Sequence, residues 1–174
     1  MKPLGKVSHN KEGYLVRFER LLPYPQKLIW EALTDPKHLA VWFTDVEFDE
    51  LAPGAKMIIR FRDQERTESV GRIVRVDPPR CFEYLWENEL ATWELYPENT
   101  STRLIFTYSK VDESYALSVP AGWHVILDQL EEVLGGGKGY YPFGGEEQEA
   151  THVTAIKASY KASMQEEFPA LRSK

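Results

Sequence analysis

The sequence predicts an α+β domain: an antiparallel β-sheet with a long amphipathic helix lying on one face, and an extra helix at the C-terminus. Two observations carry this. From Tyr14 to Lys110, strand-like segments follow one another with short connections, interrupted once by two short helical segments. Then Ala121–Leu134 sets Trp123, Ile126, Leu127, Leu130, Val133 and Leu134 at three- and four-residue spacing, which places them on one face of a helix. A single amphipathic helix after a run of strands needs a sheet to cover. The interface between the two is where a function is expected.

The elements follow in order. Residues 1–13 are polar, end in a turn signal at Glu12-Gly13, and read as a flexible arm. Tyr14–Leu21 reads as a strand with Leu15, Val16 and Phe18 inward, stopped by Pro23-Tyr24-Pro25. Gln26–Leu33 carries a helical stripe of Leu28, Ile29, Ala32 and Leu33. Asp35-Pro36 then opens a second short helix bearing Leu39, Trp42 and Phe43, with Asp35 as N-cap and Pro36 where a missing N–H costs nothing.

After the turn at Pro53-Gly54, Met57, Ile59 and Phe61 alternate with Lys56, Arg60 and Arg62, as on a strand with one apolar face. Further strands are expected over 69–76, 80–87, 91–96 and 103–110. They present Phe82, Tyr84 and Trp86, then Trp93 and Leu95, then Leu104, Phe106 and Tyr108. The short connections imply an antiparallel meander. Gly135-Gly136-Gly137-Lys138-Gly139 breaks the long helix and an aromatic loop, Tyr140–Phe143, follows. Glu146–Phe168 then repeats Val153, Ile156, Tyr160 and Met164 at helical spacing. The division is an arm (1–13), a domain (14–137) and an extension (138–174). The extension's stripe is expected to pack on its own domain, with a lid or a homodimer contact as alternatives.

The chain of 174 residues is 13% aromatic and carries a formal net charge of −6, which attracts neither nucleic acid nor an anionic membrane. No run approaches a membrane span and no signal-peptide core is visible, so a cytoplasmic protein is expected. The single cysteine, Cys81, agrees with a reducing compartment. His9, His38 and His152 have no metal-ligand spacing with each other or with Cys81, and no cofactor or metal is called for. The glycines at 135–137 resemble a phosphate loop only superficially: they follow a helix, and Gly139 stands where Ser or Thr is required. They read as a C-cap.

Several motifs in order sharpen the fold. Pro25, Ile29–Pro36, His38-Leu39 and Trp42-Phe43, then Pro53-Gly54, Gly71, Val76–Arg80 and Trp86, and finally Gly122-Trp123 with Leu127 and Leu130 resemble the SRPBCC (START-related, helix-grip) superfamily. The resemblance is to the branch of the heat-shock protein 90 ATPase activator homologues. It covers roughly residues 14–135; Ala55 departs from it where a second glycine is common, and the segment past Gly135 exceeds it. It implies a seven-stranded curved sheet gripping the long helix, with a cavity between them. Members bind lipids, polyketides, flavonoid-like or other apolar molecules; some are cyclases or hydrolases, and the eukaryotic namesake stimulates a chaperone ATPase.

The candidate ligand-binding set is therefore Trp42, Phe43, Phe61, Tyr84, Trp86, Trp93, Phe106, Tyr108, Trp123 and Leu127. The expected partner is a small apolar or aromatic molecule, with a chaperone contact or an enzymatic role as alternatives. His124, with Asp128 four residues on, is the one weak catalytic candidate, as a base oriented by a carboxylate. The plainer reading, adopted here, is a partly exposed pair beside the packed stripe.

Overall fold

The computed structural model describes residues 1–62, 64–139 and 151–174. The expected aromatic loop at Tyr140–Phe143 and the expected helix start at Glu146 lie outside them. Eight strands form one antiparallel sheet: β1 (Lys6–Asn10), β2 (Gly13–Leu22), β3 (Asp45–Glu47), β4 (Lys56–Arg60), β5 (Glu68–Asp77), β6 (Cys81–Trp86), β7 (Glu89–Glu98) and β8 (Ser101–Val111). Their spatial order is β1-β2-β8-β7-β6-β5-β4-β3. Helices α1 (Gln26–Thr34) and α2 (Pro36–Trp42) connect β2 to β3, α3 (Val119–Leu134) follows β8, and α4 (Thr151–Glu167) follows α3. This is the helix-grip arrangement, a curved sheet around a long helix.

Period-two burial builds the sheet's inner face. Along β2, Tyr14, Val16, Phe18, Arg20 and Leu22 are buried; along β8, Thr102, Leu104, Phe106 and Tyr108. Leu15 belongs to the opposite register and is only half-buried, so the inward set of the first expected strand is Tyr14, Val16 and Phe18. Helix α2 starts as its sequence dictates: Asp35 accepts the Lys37 N–H at 2.9 Å, with Pro36 at the first position. Helix α3 buries Trp123, Ile126, Leu127 and Leu130. Gly136, at φ 89°, adopts the left-handed conformation as the chain leaves α3, and the Gly135 N–H returns to the Glu131 carbonyl.

One expectation changes. The polar N-terminus is not a loose arm along its whole length, because Lys6–Asn10 pairs with β2 from Lys6↔Arg17 to Asn10↔Gly13. With β3, this strand raises the six strands read from the sequence to eight among the described residues, one more than the seven implied by resemblance. The reason is local: β1 has one buried residue, Val7, too little for a pattern, and it is fixed by backbone pairing instead. Helix α4, in turn, buries Val153, Ile156, Tyr160 and Met164 within its own chain, against α3 and the N-terminal region. The apolar stripe considered for a homodimer is thereby covered. Among the described residues no helix is long and apolar enough to cross a membrane.

Candidate functional site

The ring set divides into a filled core and an open end. Trp93 stacks on Phe106 with centroids 3.9 Å apart, and Trp123 lies 4.5 Å from Phe106, 5.0 Å from Tyr108 and 5.7 Å from Phe43. Trp42 meets Trp93 edge-on at 5.9 Å, and its indole N–H is bound to the Ala32 carbonyl at 2.8 Å. The void bordered by Trp42, Phe43, Tyr84 and Trp93 measures about 10 Å³, barely the room of one water molecule. Trp42, Phe43, Tyr84, Trp93, Phe106 and Leu127 are buried and act here as close-packed core. Phe61, just past the end of β4, is half-buried and stacks on Trp86 at 5.8 Å.

Space opens where the N-terminal half of α3 passes over the ends of β6, β7 and β8. A cavity of about 310 Å³ lies there, with Trp86, Tyr108 and Trp123 as its aromatic walls. Val119, Gly122 and Ile126 of α3 close the helix side, and Glu89 and Ser118 stand at the edge. Gly122 is not where helix and sheet approach most closely: a Cβ there would meet nothing within 4 Å. Its missing side chain is part of the cavity. Of the ten residues expected from sequence, this arrangement brings Trp86, Tyr108 and Trp123 to the open space and leaves the other seven elsewhere.

Two features orient the walls. The Trp86 indole N–H donates to Ser69 Oγ at 2.9 Å, and the Ser69 hydroxyl donates to Glu87 at 2.7 Å, which fixes the ring's plane. The two-residue turn Glu87-Asn88, with Glu87 at φ 54°, sets Glu89 opposite Trp86 in the β6–β7 register. The Tyr108 hydroxyl donates to Glu89 Oε2 at 2.5 Å. Burial raises the Glu89 carboxyl above the usual range; the nearby charges of Glu87 and Asp112 add to this, and the Tyr108 hydrogen bond opposes it. Burial also pushes the Tyr108 phenol well up. The site thus offers an apolar slot with one carboxylate–phenol pair. Glu89 was not among the expected site residues, since it reads as turn; its register opposite Trp86 is visible only once the strands are paired.

His124 lies on another side of α3. It is fully buried, not partly exposed, and is not among the residues lining the 310 Å³ cavity. Its Nδ1 is 2.9 Å from the Tyr160 hydroxyl of α4, and that hydroxyl accepts the Gly5 N–H at 2.6 Å. Nε2 faces a carboxylate, which favours the neutral tautomer with its proton there; in that tautomer the Tyr160 O–H donates to Nδ1. The separation from Asp128 Oδ2 is 3.6 Å, too long for a hydrogen bond. Arg20, in the inward register of β2, holds Asp128 at 2.8 Å and Glu131 at 2.7 Å. Burial lowers the pKa of His124, against the pull of Asp128. Nδ1 is thus paired with Tyr160, while Nε2 is buried without a hydrogen-bond partner among the described residues. Among the described residues no three His, Cys, Asp or Glu side chains are grouped to hold a metal.

Comparison with known proteins agrees with this architecture. The chain matches no curated protein. Solved structures that resemble it include CalU16 from Micromonospora echinospora, with a TM-score of 0.68 at 21% identity over 91% of each chain. A conserved protein of unknown function from Enterococcus faecalis has a TM-score of 0.72 at 16% identity, over 93% of this chain and 91% of its own. DynU16, a protein of the dynemicin biosynthetic locus, has a TM-score of 0.63 at 23% identity, over 76% of this chain and 51% of its own. At these identities the likeness is one of fold. The family model described as "Activator of Hsp90 ATPase homolog 1-like protein" matches residues 23–135, well over half of the sequence, and the chain belongs to that family.

Proposed function

We propose that this protein binds a small, largely apolar or aromatic molecule in the cavity between α3 and the ends of β6, β7 and β8. The observation that supports this most is the 310 Å³ space walled by Trp86, Tyr108 and Trp123 and left open by Gly122. Ligand sites are concave, mostly apolar, and carry few polar groups; roughly 300 Å³ is the lower end of their size range. A compact ring system fits such a volume better than a long acyl chain. Burying ~300 Å² of apolar ligand surface contributes roughly 7 kcal/mol gross. The cost of association removes much of it and leaves micromolar affinity.

Trp86 and Trp123 make the test direct, because ligand stacking on either indole changes its fluorescence. A set of lipids, flavonoids and polyketide-like aromatics is titrated against the wild type and Gly122→Leu. The leucine side chain enters open space, so the variant is expected to fold and to bind at least about tenfold more weakly. The absence of any saturable binding sinks the proposal, as does equal binding by the filled variant.

A further inference from the structure

The cavity's electrostatics are one-sided. Among the described residues Glu89 is its only charged wall residue, and its one hydrogen-bond partner is Tyr108, with no Lys or Arg in ion-pair range. Many carboxylates beside the sheet are paired with guanidinium groups: Glu19 and Glu98 with Arg103, Glu47 and Glu68 with Arg60, Asp45 with Arg62, Asp128 and Glu131 with Arg20. Glu83, Glu87 and Glu94, like Glu89, meet a neutral hydroxyl instead, but they do not line the cavity. The charges that bear on Glu89 are those of Glu87 and Asp112, both of its own sign. The N-terminus of α3 supplies about half a positive charge, and Pro120 removes one of its N–H groups. Three carboxylates outweigh that.

The walls have the same preference. Faces of Trp and Tyr carry negative quadrupole potential and attract cations. Tyr108 commits its O–H to Glu89 Oε2, which leaves Oε1 without a hydrogen bond among the described residues, and the Tyr108 ring lines the cavity with Trp86 and Trp123. A half-buried carboxylate with one neutral donor, like charges near it and aromatic rings beside it is completed by a positive group. A bound anion would meet repulsion from all three carboxylates.

We infer that the cavity selects organic cations: small aromatic or alicyclic amines with the protonated nitrogen against Glu89 and the apolar body on Trp86, Tyr108 and Trp123. This rests on the ligand-binding reading above and names the class of ligand for the same site. Tryptamine and phenethylamine serve as cationic probes, tryptophol and 2-phenylethanol as their neutral counterparts, and indole-3-acetate as the anion. Binding is followed by calorimetry and by the indole N–H resonances of the protein.

The amines are expected to bind about tenfold tighter than the matched alcohols, and the acetate not to bind. In Glu89→Gln, which keeps an acceptor for Tyr108, the amine advantage should vanish while the alcohols bind as before. Alcohols binding the wild type as tightly as amines overturn the inference and leave the cavity reading standing. So does an amine preference that survives Glu89→Gln. If no probe moves an indole resonance, both fall together.

Discussion

Helix α3 has two flanks that bury ionisable groups, and they are built to opposite ends. On the flank toward α4, His124 is enclosed with each nitrogen facing a protein group, and Asp128 and Glu131 are neutralised by Arg20. On the flank toward β6–β8, Glu89 has one neutral donor, like-charged neighbours and 310 Å³ of space beside it. The first flank holds two helices and a strand together, and what it leaves unpaired, His124 Nε2 and Arg20 Nη2, is enclosed in protein. The second leaves its carboxylate beside open space. The histidine is therefore walled off from the cavity, and a glutamate at the start of β7 borders it.

The sharpest way to break this comparison is to remove the residue that belongs to both the packed core and the cavity. Trp123 is buried and touches Phe43, Trp86, Trp93, Phe106 and Tyr108. Trp123→Ala should cost ~3–5 kcal/mol in chemical denaturation. A loss below about 2 kcal/mol would place the ring in the cavity wall rather than the core. The α4 flank comes next. Tyr160→Phe deletes the hydroxyl that satisfies both Gly5 N–H and His124 Nδ1, and should cost about 1–3 kcal/mol. Hydrogen exchange should quicken in α4 and β1 while the β6–β8 amides stay protected. Uniform loss of protection would mean that the two flanks are not separable.

Much of the fold was legible in the sequence, and less of the site. The stripe through Trp123, Leu127 and Leu130 and the Asp35-Pro36 start are local signals, and local signals survive without coordinates. Strands β1 and β3 bury one side chain each, Val7 and Val46, so no periodicity could announce them. Nothing local marks Arg20 as a buried charge, because its partners Asp128 and Glu131 lie more than a hundred residues away. Of the aromatic set, Trp86, Tyr108 and Trp123 border the open space and the others pack elsewhere: ring-rich segments do not reveal where the packing stops. That boundary depends on Gly122 and on the β6–β7 register, which are facts of pairing rather than of pattern.

The smallest effect separates the flanks by the sign of their pH dependence. Glu89's carboxyl is raised by burial from an ordinary 4.5, so its ionisation weighs against the folded state: the stability it allows at acid pH is lost as pH rises from 4.5 through the folded value. His124 is lowered by burial from 6.5, so the unfolded chain takes up its proton first, and stability falls as pH drops below 6.5. In the wild type the two trends have opposite signs. Glu89→Gln removes one of them. The variant should melt slightly above the wild type at neutral pH, with the gap closing toward pH 4.5, and its decline below pH 6.5 should be steeper. Glu89 is partly solvated and Gln still accepts from Tyr108, so the gap will be small. A variant less stable than wild type at neutral pH would mean that the Glu89 charge is already stabilised by the fold, and the case for a cationic ligand would lose its electrostatic basis.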